Sequence, residues 1–203
     1  QLHMSKTLCF TGKRPKDLYG YNDTYEYGRL LRDIEAKLYE FYTKFNVRKY
    51  ISGGAQGFDQ VAFWAVERMK RDYALTDVIN IVHIPFNGQE SRWKQTGLFS
   101  QTEFKMMLNA ADDIKIVTPN LDTSDFSKVA RALNVRNESM VNDSDYVFGL
   151  FNCMKEDFHT AKGGTANCLR YASQHNKDTY IMAIDSHVLY HVAHDGSIEQ
   201  AGI

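Results

Sequence analysis

The chain has 203 residues, which is the length of one ordinary domain and too short for two comfortable ones. Apolar residues make up 43% of it, and 24 lysines and arginines nearly balance 25 aspartates and glutamates, for a formal net charge of −1. This balance disfavours a surface that grips long nucleic acid through charge, although it still allows a basic cleft.

Cysteine usage and hydropathy indicate where the protein works. Cys9, Cys153 and Cys168 are far apart and show no pairing pattern, which favours a reducing, cytoplasmic environment. No run reaches the roughly 18 apolar residues of a membrane span and no signal peptide opens the chain, so we expect no membrane partner. Residues 1–3 resemble a vector remnant, and we expect residues 4–203 to form a single domain.

Short apolar runs alternate with longer helical patterns along the chain. Strands are predicted at 7–11, 47–52, 79–84, 113–118, 146–151 and 179–184, where Val, Ile, Tyr and Phe are frequent. Apolar residues spaced by three and four predict helices at 25–45, 58–72, 100–111, 127–142 and 164–175. A loop is expected at 119–127, and the tail from 185 suggests a hairpin around Asp195-Gly196. The alternation predicts an α/β fold, a doubly wound and mainly parallel sheet with helices on both faces.

Glycine, hydroxyl and basic residues follow four of the predicted strands. They occupy the segments 11–15, 52–59, 85–93 and 152–165. Doubly wound sheets bind their ligands at the carboxyl ends of the strands, where these segments would meet. The sequence therefore predicts one site built from several loops.

The segment "SGGAQGFD" contains Ser52, Gly53, Gly54, Gly57 and Asp59 between a strand and a helix. Glycines let the backbone turn sharply and approach a ligand, and the helix start offers N–H groups to an anion. Asp59 would then bind a ribose hydroxyl. The alternative is a tight turn in which Asp59 is the N-cap of the helix.

A second glycine loop, "KGGT", places Gly163 and Gly164 before a helix that Thr165 would open. An anion fits here as well, although a simple N-cap role explains Thr165 equally well. Two loops of this kind on one sheet favour phosphate binding at both.

Two arginines are candidates for the same anion. Arg14 follows the first strand beside Lys13, and a guanidinium can bind a phosphate or carboxylate in a two-pronged manner. The alternative is a solvated pair. Arg136 would contact a phosphate or ribose, or else form a surface salt bridge with Asp143 or Glu138.

Two aromatic residues follow the third strand. Phe86 and Trp93 would each offer a face on which a base can stack, although core packing is the usual role of such side chains.

Other chemistries have little support. His187, His191 and His194 have metal-like spacing only if the tail is helical, and no acid or cysteine completes a ligand set, so we expect no metal and no cofactor. Cys153 and Cys168 lack an adjacent base. Neither a Walker loop nor a G-x-G-x-x-G fingerprint occurs, which argues against a standard NTPase or dinucleotide dehydrogenase.

Five blocks of the chain together resemble a known family. "TGKRP…LYGY", "ISGGAQGFDQVAFWA", "IPFNGQESRW", "RNESMVNDSDYVFGLFN" and "GGTANCLRYA" occur in the order typical of the YpsA-like family of the SLOG superfamily. That superfamily also contains the Lonely Guy hydrolases and the DNA-processing protein DprA. The resemblance runs from about Thr7 to Ile184 and implies a Rossmann-like fold that binds nucleotides or nucleotide-derived molecules.

Mapped onto this chain, the resemblance implies a set of ligand-binding residues on five segments. They are Thr11, Gly12, Arg14, Ser52, Gly53, Gly54, Gly57, Asp59, Gln89, Trp93, Arg136, Asn137, Gly163, Gly164, Thr165 and Asn167. Lys13 stands where the family more often has histidine.

One departure from the superfamily bears on mechanism. Lonely Guy enzymes combine an arginine with a glutamate that follows their glycine loop within three residues, and they cleave the bond between base and ribose 5′-phosphate. Arg136 matches the arginine, but Ala166, Asn167 and Cys168 follow Thr165, with no acid among them. An asparagine cannot replace the carboxylate as a general base.

Three functions follow from this. The first is a sensor or sequestering protein for a nucleotide-derived signal, either ADP-ribose-like or a cyclic nucleotide. The alternative is a nucleotide N-glycosidic-bond hydrolase in which Asp59 or Glu90 supplies the missing carboxylate. Single-stranded DNA binding is the third, and the near-neutral charge argues against it. The resemblance also implies a homo-oligomer; the apolar stripe of helix 25–45 is either its interface or a core face.

Overall fold

The computed structural model describes residues 4–203, so the predicted vector remnant at 1–3 lies outside the described residues. The strands are β1 (Lys6–Thr11), β2 (Val47–Ser52), β3 (Ile79–Ile84), β4 (Asp113–Ile116), β5 (Tyr146–Phe151), β6 (Asp178–Ala183), β7 (Leu189–Val192) and β8 (Ile198–Gln200). The α-helices are α1 (Thr24–Phe45), α2 (Phe58–Asp72), α3 (Gln101–Ala110), α4 (Phe126–Asn142) and α5 (Gly164–Gln174).

The strands of the described chain form one sheet in the order β4-β3-β2-β1-β5-β6-β7-β8. The pairs from β4 through to β6 are parallel, whereas β7 and β8 add an antiparallel edge. The chain adds strands on one side of β1 up to β4 and then continues on the other side with β5. This reversal confirms the doubly wound α/β fold and places the crevice at the carboxyl ends of β1 and β5.

Helices cover both faces of the sheet because the residues of the central strands alternate between two cores. Phe10 of β1 packs with Phe41 of α1 and Ala62 of α2 on one face. Cys9, its neighbour in β1, packs with Leu169 of α5 on the other, in a cluster that also contains residues of α4. Successive strand residues point to opposite faces, so a strand covered on both sides is apolar throughout.

The apolar stripe of α1 belongs to the core. Leu30, Ile34, Leu38 and Phe41 are fully buried within the chain itself. The core-face interpretation is therefore confirmed, and this stripe supplies no surface to a partner.

The predicted loop and tail are also present. Residues 119–125 contain no helix or strand, and α4 begins at Phe126 after Asp125, whose carboxylate caps the amides of Ser127 and Lys128. The tail forms the β7–β8 hairpin, with Gly196 in its turn at φ +85°. The predicted strand 113–118 ends earlier, at Ile116, where the chain turns.

The tail histidines have structural partners. His187 contacts Asp33 Oδ2 and the Tyr19 hydroxyl, each at 2.7 Å, and His191 contacts Asp178 at 3.3 Å. No group of three or more potential metal ligands occurs within residues 4–203. Across the same residues, none of the helices combines the length and the apolar character that a membrane crossing requires.

Candidate functional site

A cleft of about 370 Å³ opens where the chain direction in the sheet reverses. It is bounded by the loop after β1, the start of α2, one face of α4 and the start of α5. The residues that line it are Thr11, Gly12, Lys13, Arg14, Asp17, Ala55, Asp59, Ala130, Leu133, Asn134, Arg136, Asn137, Lys162, Gly163, Gly164, Thr165 and Asn167. Segments far apart in sequence thus meet at one edge of the sheet.

Most of the predicted site residues lie in this cleft. Gln89 and Trp93 line an adjoining cavity instead. Ser52, Gly53, Gly54 and Gly57 line neither space, and their roles are indirect.

Arg136 is buried on α4, with 3% of its surface exposed. Its Nη1 donates to the carbonyl oxygens of Gly53 and, at 3.4 Å, His83, and its Nε donates to Asn137 Oδ1 at 2.9 Å. Nη2 has no hydrogen-bond partner among the described residues, and it belongs to a side chain that lines the cleft. The surface salt bridge is therefore wrong: Arg136 is a buried cation with a free donor.

The buried Asp59 carboxylate interacts favourably with the charge of Arg136. It is 7% exposed, and burial raises its pKa, whereas the charge of Arg136 and a hydrogen bond from the Ala55 amide oppose the shift. Burial in turn lowers the pKa of Arg136, and Asp59 counteracts this. The two charges partly neutralise each other inside the protein, which reduces the cost of burying both.

The N-cap interpretation of Asp59 is wrong. The N-cap of α2 is Gly57, and no side chain of the described residues caps this helix. The Asp59 carboxylate instead accepts a hydrogen bond from the Ala55 amide at 3.3 Å. Gly53 explains the placement: a Cβ there would lie 2.7 Å from Arg136 Cζ and 2.8 Å from Asp59 Oδ2. Gly53 is thus required so that both charged groups can approach the backbone.

The other glycines of this loop serve packing as well. Gly57 has φ +91°, and a Cβ there would lie 2.7 Å from the Lys13 carbonyl oxygen, which accepts the Phe58 amide at 3.1 Å. Gly54 has φ +73°, and its Cβ would lie 3.2 Å from Gln89 Nε2. The loop therefore joins the β1 loop to α2 and leaves room for Gln89.

The N-terminus of α5 is open to the cleft. Its N-cap is Gly163, at φ +105°, and no side chain within residues 4–203 caps the helix. Thr165 lies inside the first turn, so its N-cap interpretation is wrong too. The amides of a first helical turn lack partners within the helix and favour an anion.

The loop before α5 is fixed from behind by Arg170. Its Nη1 donates to the carbonyl oxygens of Phe158 and Ala161, each at 2.6 Å, and its Nη2 donates to Asn167 Oδ1. These contacts tie the loop to the helix that it precedes, so the glycines and Lys162 are held at the mouth of the cleft.

Two further cations enter the cleft from the loops. Arg14 is exposed and has neither a hydrogen bond nor an ion pair through its side chain with another described residue, so its guanidinium is available to a ligand. Lys13 lies over the Phe151 ring, with Nζ 4.7 Å from the ring centroid. Both therefore add positive charge beside the open helix end.

Sequence reasoning missed several lining residues that the chain does signal. Lys162 directly precedes the two glycines of the last loop. Ala130, Leu133 and Asn134 lie three to seven residues before the predicted Asn137 and share the face of α4 that carries the cleft.

The adjoining cavity, of about 170 Å³, is lined mainly by aromatic, amide and small apolar side chains. It is lined by Arg14, Ala55, Gln56, Phe86, Gln89, Trp93, Val129 and Leu133. Trp93 packs edge-on against Phe104, with ring centroids 5.2 Å apart, which fixes its orientation.

Comparison with known proteins agrees with this architecture. The uncharacterized SPbeta prophage-derived protein YoqJ of Bacillus subtilis (strain 168) is 31% identical over 162 residues, which cover 75% of this chain and 83% of YoqJ. The X-ray structure of DNA processing protein A (DprA) from Streptococcus pneumoniae matches with a TM-score of 0.50 at 10% identity, and this likeness concerns the fold alone. It covers 87% of this chain, which spans half the length of that DprA chain.

The family comparison covers most of the chain. The YpsA model, described as the YspA SLOG family, matches residues 8–187, which include every segment of the cleft. The fold, the relative and the family model agree, and this chain belongs to the YpsA-like family of the SLOG superfamily.

Proposed function

We propose that the cleft binds a nucleotide-derived small molecule through its phosphate. The observation that carries this proposal is the free guanidinium of Arg14 facing the same cleft as the uncapped start of α5. A guanidinium and a row of backbone amides are the groups that proteins use to hold phosphate oxygens.

The charge of the cleft supports the same assignment. Lys13, Arg14, Arg136 and Lys162 line it, against the carboxylates of Asp17 and Asp59. The positive excess would attract an anion, and Asp59 would accept hydrogen bonds from the hydroxyls of a ribose. Membership of a SLOG family agrees with a nucleotide-related role.

A sensor or sequestering protein fits the cleft better than a catalyst does. The three residues directly after Thr165 include no acid, and Glu90 lines neither the cleft nor the adjoining cavity. The ligand would be an ADP-ribose-like molecule or a cyclic nucleotide. The cytoplasmic location and the homo-oligomer remain predictions, and a single DNA strand is the least favoured ligand because the overall charge is near neutral.

One observation favours hydrolysis of an N-glycosidic bond as the second candidate. Asp59 stands in the cleft together with Arg136, and burial raises the pKa of its carboxyl. A carboxylate so placed can assist the cleavage of a glycosidic bond. Release of free base from nucleoside monophosphates would identify this activity, and unchanged nucleotide would support binding alone.

The proposal is tested by thermal unfolding with a panel of nucleotides and nucleotide sugars. A ligand that binds the native state raises the melting temperature, and Arg14→Gln should abolish the rise. Arg32→Gln is the matched control, because Arg32 is an exposed arginine of α1 that lies outside the cleft. An unchanged ligand effect in Arg14→Gln, or no effect of any nucleotide on the wild type, would contradict the proposal.

A further inference from the structure

The aromatic cavity adjoins the phosphate cleft directly. Arg14, Ala55 and Leu133 line both spaces, so the Arg14 side chain stands in the wall between them. At about 170 Å³ the cavity is smaller than the ~300–1,000 Å³ typical of a pocket for a whole ligand. It therefore accommodates one part of a molecule whose remainder lies in the cleft.

The two spaces differ in chemistry. Among the described residues, four cations and an open helix end line the cleft, whereas Arg14 is the one charged residue that lines the cavity, and it lies on the shared wall. The other lining residues are apolar, aromatic or amides. A second phosphate would find little charge there, but a neutral planar ring with polar edges fits.

The cavity also holds an unused hydrogen-bond donor. Gln89 Nε2 is buried, and it has no partner among the described residues. The structure makes room for this group, because Gly54 has no Cβ where one would lie 3.2 Å from it. Buried polar atoms without partners are costly and rare, so a ligand acceptor is the natural partner for this donor.

The side-chain amide of Gln56, which also lines the cavity, is held in place through its nitrogen. Gln56 Nε2 donates to the Phe99 carbonyl oxygen at 2.9 Å, which leaves its Oε1 as an acceptor. Gln56 and Gln89 thus offer one acceptor and one donor to the same cavity, the complement of a base edge.

We propose that this cavity is a nucleobase compartment, in which Trp93 and Phe86 contact the ring while Gln89 donates to an acceptor on its edge. The inference rests on the proposed function and extends it. The ligand class is a nucleoside 5′-phosphate or a derivative that retains the base, and its phosphate and base lie on opposite sides of Arg14.

The test compares ligands with and without a base. Binding of ribose 5-phosphate and of four nucleoside 5′-monophosphates is measured by calorimetry for the wild type, Trp93→Leu and Gln89→Met. Stacking and a satisfied amide should make the preferred nucleotide at least about tenfold tighter than ribose 5-phosphate. Each substitution should remove most of that gain and leave ribose 5-phosphate binding unchanged.

Trp64→Leu is the matched control, because Trp64 lies on α2 and lines neither space. It should leave the tenfold gain intact. If ribose 5-phosphate binds as tightly as every nucleotide, the compartment is wrong while the phosphate cleft stands. If none of these molecules binds, the compartment for a nucleoside 5′-phosphate is wrong, and the phosphate cleft is judged by the thermal unfolding panel alone.

Discussion

Gly53 is a residue at which one added methyl group would collide with both buried charged groups of the site. Its Cα faces the Arg136 guanidinium and the Asp59 carboxylate, and neither is the loose end of an exposed side chain. Gly53→Ala should therefore displace both charged groups, destabilise the protein by about 1–3 kcal/mol and abolish the ligand-induced rise in melting temperature. Urea unfolding and the nucleotide panel measure the two effects.

Gly28→Ala is the control for this change. Gly28 lies within α1, and the nearest atom to its added Cβ is Arg32 Nη1 at 3.9 Å. An alanine there should stabilise the protein by about 0.5–1 kcal/mol, because glycine is unfavourable in a helix interior. If Gly53→Ala behaved in the same way, the role assigned to Gly53 would be wrong.

For single residues, the sequence predicted which ones lie in the cleft better than it predicted their roles. The blocks that resemble the family include Arg14, Arg136 and Gly164, and all of these line the cleft. Sequence order cannot show that Gly53 faces Arg136, since 83 positions separate them in the chain. For the same reason the sequence leaves Asp59 open between a ribose contact and a helix cap and does not show that it is a buried neighbour of Arg136, which is distant in sequence.

Among the elements, α5 makes the most specific contribution to the cleft. Its first residue, Gly164, has a normal helical backbone and open space around its Cβ position. Proline is tolerated at the first position of a helix and removes one N–H donor there. Gly164→Pro should therefore leave the free energy of unfolding within about 0.5 kcal/mol of the wild type but weaken nucleotide binding about tenfold or more.

Gly164→Ala separates the donor from the side chain. It adds a methyl group at the same position and keeps the N–H, so it should bind nucleotide more tightly than Gly164→Pro. Equal affinities of these two variants, measured by calorimetry, would show that the Gly164 amide does not contact the anion.

The elements themselves were predicted closely from periodicity and composition. The helices at 25–45 and 58–72 match α1 and α2 within one residue, because each has a long apolar stripe. The strand at 113–118 was predicted two residues too long, since Val117 and Thr118 remain apolar or β-branched where the chain already turns. Such ends depend on tertiary contacts that local sequence does not contain.

For the whole molecule, two buried groups give the stability opposite dependences on pH. Burial, reinforced by the nearby charge of Lys115, lowers the pKa of His83 to about 4. Between pH 6.5 and about 4 the His83 imidazole is protonated in the unfolded chain but neutral in the folded state. The protein therefore loses stability as the pH falls through this range. Burial and the Asp72 carboxylate raise the pKa of Glu35 to about 7, against the opposing charge of Arg68, so stability rises as pH falls from about 7 towards 4.5.

The opposite contributions of His83 and Glu35 to the pH dependence of stability partly cancel in the wild type, and single variants should separate them. When the pH is lowered from about 7 to about 5, the free energy of unfolding of His83→Gln should increase relative to that of the wild type, by on the order of 1–2 kcal/mol. The free energy of unfolding of Glu35→Gln should decrease relative to that of the wild type by a similar amount. His194→Gln, at an exposed histidine of the tail, should follow the wild type. Urea unfolding at both pH values measures the slopes, and parallel slopes in all four proteins would contradict these assignments.

The sheet as a whole shows what sequence can and cannot supply. Strand-helix alternation predicts a doubly wound sheet with a crevice at one edge, and the structure has both. The order of the strands could not be predicted in this way. The residues of β1 alone do not show that it pairs with both β2 and β5. The adjoining aromatic cavity depends on that order, so the sequence could suggest Trp93 as a base contact but not its place beside Arg14.

The position of β1 between β2 and β5 has a consequence for synthesis on the ribosome. A nascent polypeptide that has emerged only as far as β4 contains Arg14 and Asp59, but it still lacks Arg136 and the Gly163-Gly164 turn. The cleft that we propose as a ligand site is therefore complete only after α5 has been translated.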